Sequence, residues 1–104
     1  MKIISFHPQP DASNCGGITG WLKVATLADA FGLKVSSHGM QELHVSLVGA
    51  VKNGGWVEIH SFPIDKFTER HVKIENGMCE VPDIPGIGVQ FDWKKLEEYC
   101  VLEK

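Results

Sequence analysis

The strongest constraint on the fold is an alternation of short extended runs with helical patterns over residues 2–60. KIISF, residues 2–6, is β-branched and aromatic, reads as a strand, and is stopped by Pro8 and Pro10. Ile18, Trp21, Leu22, Ala25 and Ala28 then recur at the i, i+3, i+4, i+7 spacing of one helix face. Gly17 or Thr19 is available to cap that helix, and Gly32, just after Phe31, suits its C-terminal stop. LKVSS, residues 33–37, predicts a second strand. Met40, Leu43, Leu47, Ala50 and Val51 predict a second amphipathic helix, ended by Asn53, Gly54 and Gly55. WVEIH, residues 56–60, predicts a third strand. Strands alternating with helices of this length make βαβ units and a parallel sheet, so the fold class is α/β.

The pattern changes after residue 61. HVKIENGMCEVPD places two short strands around Asn76-Gly77, a strong hairpin signal. PGIGVQFDW adds a turn and an extended piece, and WKKLEEYCVL a short helix. The chain has no internal repeat or low-complexity tract, and its 104 residues are enough for one modest core.

Composition narrows the function classes. Hydrophobic residues at 43% and charged residues at 22% are those of a globular domain, and a net charge of −3 offers no electrostatic footprint for nucleic acid or an anionic membrane. Cys15, Cys79 and Cys100 are odd in number, far apart and without a C-x-x-C pair, which disfavours a disulfide framework or a zinc knuckle. MKIISFHPQP lacks the apolar core of a signal peptide, and no apolar run is long enough to span a bilayer; the expected location is the cytoplasm.

In parallel α/β architectures the reactive groups gather at the carboxyl ends of strands. Asp11, His38 and Glu58 each fall at or near the end of a successive predicted strand. A carboxylate beside an imidazole orients it and raises its basicity, which makes a general base, and a second carboxylate nearby can hydrogen-bond a developing oxyanion. The plainer alternatives are a turn aspartate before a helix for Asp11 and a polar loop residue for His38. Glu58, flanked by apolar residues in WVEIH, is expected to be buried and to need a partner.

Other candidates are weaker. His38, Glu42 and His44 do not reproduce the H-E-x-x-H of zinc peptidases, and solvation of the helix surface accounts for Glu42 and His44. Gly86-Ile87-Gly88 reads as a tight turn. His7, His60 and His71 have no evident partners, and no activating base can be named for Cys15.

The run PDASNCGGITGWLKVATLADAFGLKVSSHGMQELHVSLVGA, followed by WVEIH and GMCEVPDIPGIGV, resembles the C-terminal third of the mandelate racemase and muconate lactonizing enzyme family of the enolase superfamily. The likeness covers residues 9–104, with P-D, GGIT, S-H and W-V-E in order and at family spacing. It implies a partial (β/α) barrel made of the last three strand units, the sixth through the eighth. Residues 1–61 would form the barrel units, and residues 62–104 a closing segment with the hairpin and short helix.

It implies chemistry as well. Members abstract the proton α to a carboxylate, and one or two metal ions stabilise the enediolate. By motif, His38 in SSHG would be the base, Asp11 in QPDA its orienting acid, and Glu58 in WVEI the hydrogen-bond partner of the intermediate. Met40 and Gln41 would line the substrate pocket. The expected substrate is a sugar acid or 2-hydroxy acid. Dehydration is the leading activity, racemisation or epimerisation the near alternative, and a self-associating α/β fragment without catalysis the alternative from another class. A metal hydrolase built on His38 and His44 would need a ligand set that the sequence does not offer.

The family's metal ligands lie on its third, fourth and fifth strands and a second base on its second, and a whole barrel takes ~250 residues. The chain is therefore expected to be a C-terminal piece. Mg²⁺ would belong to the full-length enzyme, with no metal held and no turnover by this chain alone, and open sheet edges would make it a homo-oligomer.

Overall fold

A computed structural model describes residues 7–102; the strand expected over residues 2–6 lies outside them. Helix α1 spans Gly17–Ala30 and helix α2 spans Gln41–Ala50. The residue before α1 is Gly16, at φ 94°, so neither Gly17 nor Thr19 is its cap. At the other end Gly32 takes φ 67°, a backbone conformation that favours glycine. There Leu33 N–H donates to the Ala28 carbonyl (2.8 Å) and Gly32 N–H to that of Asp29 (2.9 Å). These paired bonds satisfy the last carbonyls of α1 and stop it where the sequence indicates.

The core lies between the two helices and the segment leading into α2. Trp21 and Ala25 from α1, Leu47 and Val48 from α2, Val35 from the segment between them, and Ala12 are buried together, with Cys15, Leu43, Val51 and Val57 packed around them. Ile18 and Leu22, expected on the buried face of α1, are instead more than a third exposed, at 40% and 38%. The buried stripe is the narrower set Trp21, Ala25 and Ala28.

The expected strands over 33–37 and 56–60 do not form a regular ladder. One parallel bridge joins Val35 to Gly54, with Val35 N–H donating to the Asn53 carbonyl (2.9 Å) and Gly55 N–H to that of Val35 (2.7 Å). Beyond it one main-chain bond remains, Ser37 N–H to the Trp56 carbonyl at 3.2 Å, and the N–H groups of the partner segment meet side chains in place of carbonyls. Ser36 Oγ accepts from Trp56 N–H at 2.9 Å and Ser37 Oγ from Glu58 N–H at 3.0 Å. Both serines are fully buried. Short hydroxyl side chains bond the neighbouring backbone in place of main-chain carbonyls, so the segments stay side by side without repeating the ladder. On the other flank Ser36 N–H donates to the Pro8 carbonyl (3.0 Å), which places 7–8, 35–37 and 53–58 next to one another.

After residue 61 a single 3-10 turn, Asp65–Phe67, precedes the hairpin of β1 (Ile74–Glu75) and β2 (Met78–Cys79), antiparallel with Ile74 opposite Cys79. Asn76 and Gly77, at φ 52° and 73°, make the expected two-residue turn. The chain then passes antiparallel to Thr68 through Phe91 and ends in helix α3, Trp93–Leu96, capped by the Asp92 carboxylate on Lys95 N–H. The hairpin packs back onto α2 where Val81 meets Gly49: a Cβ on Gly49 would come within 2.5 Å of Val81 Cγ2. No helix among the described residues is long and apolar enough to cross a membrane.

Candidate functional site

Asp11 lies in the loop entering α1. Its carbonyl accepts from Asn14 N–H (3.0 Å) and Cys15 N–H (3.1 Å), and its Oδ1 accepts from Ser13 N–H (2.9 Å) and the Ser13 hydroxyl (2.8 Å). This local turn holds the carboxylate in place. Burial opposes ionisation, but the two Ser13 donors outweigh it, joined by the positive charge that the nearby His44 and His38 rings carry when protonated, and hold Asp11 below the usual carboxylate value.

His38 follows the two buried serines. Its side chain is 54% exposed, and its Nδ1 is 3.8 Å from Asp11 Oδ2. That distance is beyond a direct hydrogen bond and within reach of a sub-ångström closure or one bridging water. Glu58 reaches the same turn from the third segment: its Oε2 accepts from Gly39 N–H at 2.6 Å. The three residues singled out in the sequence thus converge on residues 38–39. Glu58 is half-buried rather than buried. Gly39 and Met40, at φ 60° and 41°, turn the chain sharply into α2 and leave His38 at the rim. A left-handed conformation is uncommon for a residue such as Met40, and strain of this kind persists where surrounding contacts enforce it.

Gln41 and Met40 part company. Met40 is 37% exposed beside His38, whereas Gln41 is buried and turned inward. The Gln41 amide oxygen accepts from His60 N–H (3.3 Å) and its nitrogen donates to the His60 carbonyl (3.5 Å). An amide engaged with backbone at both ends ties α2 to the third segment and is not presented to a ligand.

The structure corrects the surface placement of Glu42 and His44, which are 5% and 0% exposed. Glu42 Oε1 accepts from the N–H groups of Ile64 (2.9 Å) and Asp65 (3.1 Å), so it caps the 3-10 turn. His44 Nε2 accepts from Ala12 N–H at 3.0 Å, and its Nδ1 lies 2.6 Å from the Gly39 carbonyl. A signal for His44 was present: it sits three residues before Leu47 and seven before Val51, on the apolar face of α2. The other histidines also have partners. His7 Nε2 bonds Ser36 Oγ at 2.5 Å with its ring stacked on Trp56, His71 Nδ1 is 3.2 Å from Asp65 Oδ2, and His60 sits edge-on to His38 with ring centres 6.3 Å apart.

A divalent metal does not fit the residues at hand. No three His, Cys, Asp or Glu side chains among the described residues come together as a ligand set. Asp11 Oδ1 is engaged by Ser13 and Glu58 Oε2 by Gly39. Cys15, Cys79 and Cys100 are free thiols.

Residues 7–95 match the family described as enolase C-terminal domain-like. Over 94 residues the chain is 35% identical to a 3,6-anhydro-alpha-L-galactonate cycloisomerase of Streptomyces coelicolor, covering 90% of this chain and 26% of that protein. Its structure resembles that of a racemase from Streptomyces coelicolor A3(2) with bound magnesium, with TM-score 0.82 and 33% identity over 89% of this chain and 25% of the other. It also resembles an L-talarate dehydratase from Polaromonas sp. JS666 complexed with Mg and L-glucarate, with TM-score 0.77 and 35% identity over 85% and 23%. The chain spans about a quarter of the length of these relatives.

Proposed function

The chain belongs to the mandelate racemase and muconate lactonizing enzyme family of the enolase superfamily, and on that premise we propose that it is the acid/base portion of an enzyme that removes the proton α to the carboxylate of a sugar acid. In this reading residues 1–61 are the sixth, seventh and eighth strand units of the barrel and residues 62–104 close it. The observation that carries the proposal is the meeting of Asp11 Oδ2 with His38 Nδ1 at 3.8 Å, on a turn whose next N–H is held by Glu58.

Asp11, held ionised by Ser13, favours the His38 tautomer with its proton on Nδ1. That leaves the Nε2 lone pair on a half-exposed ring to take the α-proton, and the electron pair of the broken C–H bond passes into the enediolate. Glu58, held beside the same turn by Gly39 N–H, is the hydrogen-bond partner of that intermediate. For dehydration, the enediolate collapses with loss of the β-hydroxyl, which takes the proton held by His38 and leaves as water. Met40 stands at the rim where substrate would enter; Gln41 acts through the backbone of His60.

In the full-length enzyme, Mg²⁺ would be held by residues outside this chain, and no step here is routed through it. The chain alone is proposed to be inactive. Racemisation or epimerisation is the second reading, favoured by the likeness to the racemase at TM-score 0.82; a second base outside this chain would then deliver a proton to the opposite face of the α-carbon, and the hydroxyl would stay.

The test is a chimera in which residues 7–95 replace the matching segment of the Polaromonas dehydratase. The readouts are exchange of the α-proton with deuterated solvent and release of water from aldonic and aldaric acids. Exchange that disappears on His38→Asn is the expected result. Unchanged exchange in that variant overturns the assignment of the base, and exchange without dehydration favours the racemase reading.

A further inference from the structure

His44 is a fully buried imidazole, and its presence there needs a reason. Leucine or phenylalanine would fill the same space without bringing two polar nitrogens into the core. Both nitrogens are used. The Ala12 N–H, 3.0 Å away, can only donate, so Nε2 is the acceptor and the ring proton is on Nδ1. From Nδ1 that proton is directed to the Gly39 carbonyl at 2.6 Å, with the Met40 carbonyl also near at 3.1 Å.

The two ends of the ring therefore touch the two loops of the candidate site. Ala12 follows Asp11, and Gly39 follows His38. Asp11 Oδ1 is itself 3.9 Å from Nε2. From below, Trp21 tilts against the ring with centres 6.4 Å apart, while its indole N–H donates to the Pro10 carbonyl at 3.1 Å. Residues 10–12 are thus held by a tryptophan of α1 and a histidine of α2, and the same histidine reaches the turn that carries His38.

We propose that His44 is a positioning residue of the site, a rigid buried spacer that sets the distance between the Asp11 carboxylate and the His38 ring by bonding the backbone beside each. It touches no substrate. The proposal rests on the reading of Asp11 and His38 as the acid/base pair, but its test does not use turnover. A failed chimera assay would remove the function and leave the spacer, whereas failure of the measurements below would remove the spacer and leave the function.

The experiment is NMR on the isotope-labelled 104-residue chain. A scalar coupling across the hydrogen bond between the Ala12 amide nitrogen and His44 Nε2 is expected at neutral pH. In His44→Phe, which keeps a large ring in the core, two changes are expected. The Asp11 carboxyl should titrate at higher pH than in the parent, toward the ordinary carboxylate value, and the nuclear Overhauser contacts between Asp11 and the His38 ring should weaken. In His44→Gln, whose side-chain carbonyl can still accept from Ala12 N–H, the Asp11 titration should return toward that of the parent.

A protonated Nε2, or no coupling to Ala12, overturns the proposal. So does a folded His44→Phe chain with Asp11 titration and Asp11–His38 contacts unchanged, because the ring would then serve packing alone. If His44→Phe does not fold, the coupling in the parent and the Asp11 titration of His44→Gln decide in the same way.

Discussion

Ser36→Ala removes one oxygen from a place where two neighbours depend on it. Ser36 Oγ accepts from Trp56 N–H at 2.9 Å and bonds His7 Nε2 at 2.5 Å, and the residue is fully buried. A polar group left unpaired away from water costs about 1–3 kcal/mol. Half-buried His7 and the exposed edge of Trp56 admit some water, so the low part of that range applies to each. The sum is a loss of about 2–3 kcal/mol, or a fall in Tm of about 10–20 °C for a domain of this size.

A second substitution checks the geometry independently. A Cβ on Gly55 would lie 2.5 Å from Ser36 Oγ and 3.0 Å from His7 Nε2, so Gly55→Ala should displace the same hydroxyl. In the Ser36→Ala background that oxygen is gone. The double variant should therefore be more stable than the sum of the singles by about 1 kcal/mol. Urea denaturation followed by tryptophan fluorescence supplies both numbers, with the circular-dichroism melt as a control for secondary structure. A Tm change under about 2 °C for Ser36→Ala, well below the scale expected for even one kcal/mol, or strict additivity in the cycle, would refute the view that this hydroxyl joins the segments.

Glu42→Ala removes the acceptor of two N–H groups and should cost about 3–5 kcal/mol, hydrogen bonds to charged groups contributing about 1.5–3 kcal/mol each. Glu42→Gln keeps an oxygen for Ile64 and Asp65 and replaces Oε2, which has no partner among the described residues, so it should cost far less; equal losses in urea denaturation would exclude the capping role. Because Asp11 is held below its usual value when folded, its contribution to stability is complete above the unfolded carboxylate value and is lost as pH falls through the lower folded one. Denaturation across the acid range should show a smaller loss for Asp11→Asn than for the parent, with part of the acid sensitivity remaining through Glu80 and Asp92, also held low. We further expect self-association through the open face of α1, where Leu27 is 62% and Phe31 47% exposed; light scattering at micromolar concentration should find more than a monomer and a shift toward monomer in Leu27→Glu, and a monomeric parent would exclude it.

What was legible in the sequence is what depends on near neighbours along the chain. The extents of α1 and α2 follow from residues three and four apart together with Gly32. The hairpin follows from Asn76-Gly77, whose two positive φ angles are a local property. Asp11, His38 and Glu58 were marked by their places at the ends of extended runs, and the family likeness selected the same three residues from their motifs.

Tertiary structure decided everything that needs a distant partner. Periodicity put His44 on the apolar face of α2, but whether an imidazole can stay there depends on an N–H 32 residues away, at Ala12. Glu42 looks like a solvated helix residue until the chain returns 22 residues later with two unpaired N–H groups. LKVSS and WVEIH have strand composition, yet two serine hydroxyls took over the role of the ladder carbonyls, because the local pattern records which side chains favour an extended backbone and not which oxygen its neighbour's N–H will meet. Gln41 turned inward for the same reason, its amide answering to the backbone of His60. Local propensities act over a turn or a strand, whereas the free energy of burying a polar group is settled by the atom across from it, and only the folded chain brings that atom there.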